Sequence, residues 1–241
     1  LSIGSNGYAM GVFSSNDSPS LIYMLEFPDP GDPSTWKLYC LDLSDVWKGS
    51  YHYQIDGLDE LSIDIGRNNS VVIAGVGDVT NLSSHRVTRD TPLFLFGKWG
   101  ERTFNLVFSE DTPYQDINLR KCSISVDKDV YACFEISSGG VLCLYFPDCD
   151  FSGGWKDFVI EDTDMTIYRN PYVYTWNSNA IILLESITNG NSDIAFFLTV
   201  DSGKSWSPGV VDVACSDKDE KIPVLHRKED RFLLSFEKDS N

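Results

Sequence analysis

The chain has 241 residues, 42% of them apolar and 13% aromatic, and carries a formal net charge of −17. No apolar run approaches the ~18–20 residues of a membrane-spanning helix, and the acidity with no basic stripe excludes the nucleic-acid backbone as a partner. This length suits an all-β chain folded as one domain, and the acidity is suited to solubility or to a basic partner.

Short β-type runs separated by turn residues fill the chain. The first unit holds Leu1-Ser2-Ile3, Tyr8-Ala9-Met10-Gly11-Val12-Phe13 and Leu21-Ile22-Tyr23-Met24-Leu25-Glu26-Phe27, ending in Pro28-Asp29 with Trp36 soon after. The same order returns at Cys122-Ser123-Ile124-Ser125-Val126, Val130-Tyr131-Ala132-Cys133-Phe134 and Val141-Leu142-Cys143-Leu144-Tyr145-Phe146, ending in Pro147-Asp148 with Trp155 soon after. Between them a unit opens at Leu61-Ser62-Ile63-Asp64-Ile65 and runs through Leu93-Phe94-Leu95-Phe96 to Phe104-Asn105-Leu106-Val107-Phe108. A fourth holds Tyr172-Val173-Tyr174, Ile181-Ile182-Leu183-Leu184, residues 194–200 and Val210-Val211; a fifth, from Ile222, has two strands.

Unit starts near residues 1, 61, 122, 170 and 222 give a period of about 50–60 residues, close to the ~40–50 of a β-propeller blade with loop insertions. Repeated units of four antiparallel strands, none able to bury its faces alone, predict a single propeller domain over 1–241 with its last blade incomplete. A five-bladed ring closed by the terminal strands and a two-sheet sandwich are the competing architectures.

The fourth unit carries the strongest local signal. In Thr199-Val200-Asp201-Ser202-Gly203-Lys204-Ser205-Trp206 an apolar strand meets an Asp, a Gly-containing turn and a Trp, and a second strand leaves through Gly209-Val210-Val211. The carboxylate suits an Asx-type turn and Gly203 a backbone shape that other residues resist. Trp206 would lie over the turn, its indole N–H needing one partner. This spacing resembles the Asp box, or BNR repeat, of the sialidase-like β-propellers. In that family the box is structural, so Thr199, Asp201, Gly203, Ser205 and Trp206 are read as architecture. Trp36 and Trp155 look like the ends of two worn copies. The resemblance implies a six-bladed lineage, of which about four and a half to five blades lie in this chain.

Upstream, Tyr168-Arg169-Asn170-Pro171 resembles the family's (F/Y)-R-I-P motif, and Gly190-Asn191-Ser192-Asp193-Ile194 its Gly-x-x-Asp-Ile. The resemblance implies Arg169 as one of three arginines that clamp a sugar carboxylate, by bidentate pairing, and Asp193 as an acid–base group. Glu185-Ser186-Ile187 stands where the enzymes have Glu-Gly-Arg, so one clamp arginine is missing. The chain resembles the catalytically inactive, disulfide-containing propellers of pathogen surface and invasion proteins. The expected function is therefore binding of a protein or glycan partner, with an active exo-sialidase or related glycoside hydrolase seen as a fragment as the alternative. An intracellular assembly propeller with free thiols is the third class.

Six cysteines, Cys40, Cys122, Cys133, Cys143, Cys149 and Cys215, form no C-x-x-C pair. With the sequons at Asn16, Asn68 and Asn81 they favour a secreted or cell-surface route. A two-residue turn at Asp127-Lys128 would set Cys122 opposite Cys133, and Cys143 with Cys149 could staple the Phe-Pro-Asp corner; fifteen pairings remain open. His52, His85 and His226 share no ligand spacing, and residues 217–220 lack the pattern of a calcium loop, so no metal or cofactor is expected. Candidate contact segments are the apparent insertions 45–59, with Trp47, Tyr51 and Tyr53, and 77–90.

Overall fold

Every regular element is a β-strand or a single 3-10 turn in the computed structural model, which describes the chain apart from residues 1, 4–8, 16, 67, 101–102, 109–116, 153–154, 212–218, 229–230 and 239–241 and the side chains of 227 and 228. Among the described residues the strands form meanders in chain order. β1 (Ser2–Ile3), β2 (Ala9–Ser15), β3 (Ser18–Phe27) and β4 (Lys37–Asp42) make one four-stranded sheet. β5 (Val46–Lys48), β6 (Tyr51–Ile65), β7 (Ser70–Asn81), β8 (Arg86–Lys98) and β9 (Asn105–Val107) make a five-stranded one. β10 (Leu119–Val126), β11 (Val130–Ile136), β12 (Val141–Phe146) and β13 (Lys156–Ile160) make the third. β14 (Thr166–Trp176), β15 (Asn179–Thr188), β16 (Asn191–Thr199) and β17 (Ser207–Val210) make the fourth, and β18 (Glu220–Lys228) pairs with β19 (Arg231–Lys238) alone. The described residues thus form four meander sheets and a two-stranded one, the repeat pattern expected of a propeller.

Two compact units divide it, Leu1–Cys122 and Ser123–Asn241. In the first, Met10, Ile22, Ile55, Ile63, Val71 and Ile73 form one core. In the second, Tyr131, Cys133, Cys143, Val173, Ile182 and Leu184 form one, and Leu183, Ile194 and Leu225 a smaller one. Central strands β11 and β12 are buried at every position, which is why they read as unbroken apolar runs, whereas the inner half of β3 alternates in and out. Turn chemistry fixes the register. Asn189 (φ 53°) and Gly190 (φ 82°) supply two left-handed positions between the paired Thr188 and Asn191. At Gly140 (φ 88°) a Cβ would lie 2.6 Å from the Ile160 carbonyl oxygen, so only glycine fits.

Two expected insertions are strands instead. Segment 45–59 is the β5–β6 hairpin, and segment 77–90 is the outer half of the β7–β8 hairpin. Register shifts at Asp56/Asp59 and Gly77/Val79 interrupt the side-chain alternation there, which made them resemble loops. Tyr53 is 2% exposed and belongs to the core, so it is withdrawn as a contact residue, while Trp47 and Tyr51 are exposed. Trp47 stacks on His52 with ring centroids 4.4 Å apart.

The cysteine pairing also differs. The Ser-Ser-Gly-Gly turn sets Cys133 opposite Cys143 with Sγ atoms 3.4 Å apart as buried thiols, and Cys122, the expected partner of Cys133, keeps its thiol too. Cys149 does not reach Cys143; its thiol points at the Lys128 carbonyl, 3.3 Å away. Cys40 is exposed on β4, and Cys215 lies outside the described residues. Of the sequons, Asn68 is exposed in a turn and Asn16 is not among the described residues. Asn81 is 6% exposed and its side-chain oxygen accepts the Ser83 and Ser84 amides, so it is closed to glycan attachment in the folded chain.

Candidate functional site

β14 carries Arg169 just before an irregularity in its pairing with β15. Asn170 takes φ 49°, and the register slips between Arg169 and Tyr172. Pro171, with no amide hydrogen to donate, sits in that slip. The guanidinium is thereby turned into the protein. Its Nη1 donates to the Tyr168 carbonyl at 2.7 Å and lies 3.4 Å from Asp162 Oδ2, and its Nε lies 3.6 Å from Glu135 Oε1. Both acids are anchored by backbone as well: Glu135 accepts the Asn170 amide at 2.9 Å and Asp162 the Tyr168 amide at 2.8 Å. One cation faced by two fixed carboxylates leaves net negative charge, so a further carboxylate is repelled rather than clamped.

Glu185 is 5% exposed and bonded to Asn170 Nδ2 and, at 2.9 Å, to Ser192 Oγ. It ties β14 to β16 rather than facing a cleft. Asp193 lies on the other side of the sheet. Register pairs it with Ser186 and, one strand on, Tyr168, whereas Arg169 pairs with Glu185, and residues opposite one another share a face. Asp193 accepts from Asn191 Nδ2 at 3.2 Å. The two residues of the expected sialidase set are therefore separated by the sheet.

The Asp201 corner joins β16 to β17, third and fourth strands of their sheet. Thr199, 1% exposed, donates its hydroxyl to Asp201 Oδ1 at 2.8 Å and accepts the Gly203 amide at 3.0 Å. Asp201 accepts the Ser205 amide at 3.0 Å and its hydroxyl at 2.6 Å. These bonds, the Ser205 hydroxyl first, hold the carboxyl down at about 2. Ser202 and Gly203 both have positive φ. Trp206 tilts against Phe158 at 4.9 Å and meets Tyr131 edge-on at 5.9 Å. Its indole Nε1 was expected to find a partner; instead it is buried without one.

Beside this corner lies a cavity of about 350 Å³, wholly within the second unit. Tyr131, Tyr145, Phe158 and Trp206 give it aromatic walls, and Lys156 and Lys204 are its exposed cations. The Lys156 ammonium lies 6.0 Å from the Tyr145 ring centroid. Burial, more than any neighbouring charge, pushes the Tyr131 phenol up, so it stays a protonated donor at neutral pH. Sequence reasoning found Trp206 but not the residues of β11–β13 that meet it. The available signal was the Ser-Ser-Gly-Gly turn, which fixes Tyr131 opposite Tyr145.

No family model matches the sequence, and no curated protein does. Solved structures do match. A crystal structure of a point mutant of the NanB sialidase from Streptococcus pneumoniae aligns with 90% of this chain at TM-score 0.57 and 12% identity. The chain spans about a third of that protein, 32% of its length. The fold is therefore all-β and sialidase-like.

Proposed function

We propose that this chain is a non-enzymatic binding module on a sialidase-like frame, secreted or displayed at a cell surface, that engages a protein or glycan partner. The observation carrying the reading is the enclosure of Arg169 by Glu135 and Asp162, which occupies the one guanidinium that matches the sialidase motif. The separation of Asp193 from it supports the same reading, as does the exposed sequon at Asn68 for the secretory route. The alternative, a sialidase or related glycoside hydrolase whose remaining groups lie beyond this stretch, draws on the chain spanning only 32% of the NanB sialidase. A fluorogenic sialoside separates the two. No turnover is expected; turnover that disappears in Arg169→Ala would establish the enzymatic reading.

A further inference from the structure

We propose that the cavity beside the Asp201 corner binds one sugar ring bearing a sulfate or carboxylate group. The inference rests on the binding reading above and names the ligand it would take. The volume, about 350 Å³, falls within the ~300–1,000 Å³ of small-ligand sites and suits a single ring. Its walls are aromatic faces from two different sheets: Tyr145 and Phe158 from β12 and β13, and Trp206 from the corner after β16. Such faces pack against the C–H face of a sugar while its hydroxyls seek polar partners.

The polar partners are donors. Trp206 Nε1 is buried beside the cavity with no hydrogen-bond partner, a condition native proteins rarely tolerate and one that a small shift of the indole toward a ligand hydroxyl relieves, while the Tyr131 hydroxyl faces that of Tyr145. The charge is also out of character. In a chain with 36 acids against 19 Lys and Arg, this cavity has two exposed lysines. Asp157 is its one lining acid, and neighbouring Asp201 is engaged by Ser205 and Thr199. Among the described residues neither Lys156 nor Lys204 makes an ion pair, so both ammonium groups are available for a charge-assisted bond to an anion. Gly203 completes the fit: a Cβ there would meet the Tyr131 hydroxyl at 3.1 Å.

The test is calorimetric titration of the 241-residue chain with N-acetylglucosamine 6-sulfate, glucuronic acid and unmodified N-acetylglucosamine. Saturable one-to-one binding of the two anionic sugars is expected, at least tenfold tighter than the neutral one and weakened by salt. The double variant Lys156→Gln, Lys204→Gln, whose side chains are exposed and whose circular dichroism should not change, should lose at least tenfold. Absence of saturable binding, equal affinity for the neutral sugar, or unchanged affinity in the double variant would each overturn the proposal. Binding to immobilised glycans that the double variant keeps in full would overturn the cavity assignment while leaving the binding function standing. Sialoside turnover would do the reverse.

Discussion

The hydroxyl oxygen of Ser125 accepts the backbone amide of Thr175 at 3.0 Å and lies 3.1 Å from the Thr175 hydroxyl, both residues being buried. Two residues earlier the arrangement repeats, the Val173 amide donating to Ser123 Oγ at 3.1 Å, and two residues later the Asn177 amide donates to Asp127 Oδ2. Alternate side chains at one end of the third sheet thus satisfy alternate amides at the start of the fourth. Ser125→Ala should leave the Thr175 amide buried and unpaired, lowering stability by about 1–3 kcal/mol. The urea midpoint should fall with little change in slope; an unchanged midpoint would contradict the assignment.

Asp201 predicts a particular acid response. Its carboxyl titrates at about 2 in the folded chain against an ordinary 3.8. A lowered folded value means the carboxylate stabilises the fold above the unfolded value, and the effect fades as pH falls through the folded one. Asp201→Ala should therefore melt a few degrees lower than the parent at pH 7. The gap should hold down to about pH 4 and close toward pH 2. A gap that widened on acidification would contradict this.

Removing Arg169 should cost stability rather than a reaction. Arg169→Ala leaves Glu135 and Asp162, with side chains 12% and 22% exposed, facing each other without their counter-charge. The expected loss is about 2–3 kcal/mol, read from the denaturant midpoint. Arg169→Lys should recover only part of it, because an ammonium cannot reproduce the planar donor fork. Adding Glu135→Gln to Arg169→Ala should restore some of the loss.

Thiol labelling resolved by mass spectrometry should separate the cysteines by environment. Cys40 is exposed and should react with Ellman's reagent in the native state, while Cys133 and Cys143 should react only after unfolding. Burial pushes the Cys143 thiol up, and burial followed by the Asp129 charge pushes Cys149 to about 11. The thiolate is the reactive form. Cys149 should therefore label slowly at pH 8 and faster as pH approaches 11. Recovery of a bonded Cys143–Cys149 pair from the native protein would contradict the arrangement.

Much of the fold was legible because its strands are short and their turns chemically distinct. The corner from Thr199 to Trp206 announced a hairpin through Asp201 and Gly203, and β16 and β17 pair across it. What misled was irregular pairing. Gly57 and Gly77 sit at shifts in a long bent hairpin, so 45–59 and 77–90 lost the two-residue alternation that marks a strand. Among the cysteines, the β11–β12 turn brings Cys143 opposite Cys133, a juxtaposition that attention to the Asp127-Lys128 turn passed over. The motif around Arg169 was visible, but not Glu135 or Asp162, which reach it from β11 and from the segment before β14. Nor could the cavity be seen, since Tyr131, Phe158 and Trp206 meet only after three hairpins have closed.

Strand β14 borders its sheet, and a bordering strand normally presents a row of unused amides on which a stray chain can grow. Here Ser123, Ser125 and Asp127 already occupy the amides of Val173, Thr175 and Asn177. These side chains act as stoppers: they deny fibril-type growth a template along that stretch, and Pro171, just before it, has no amide to offer.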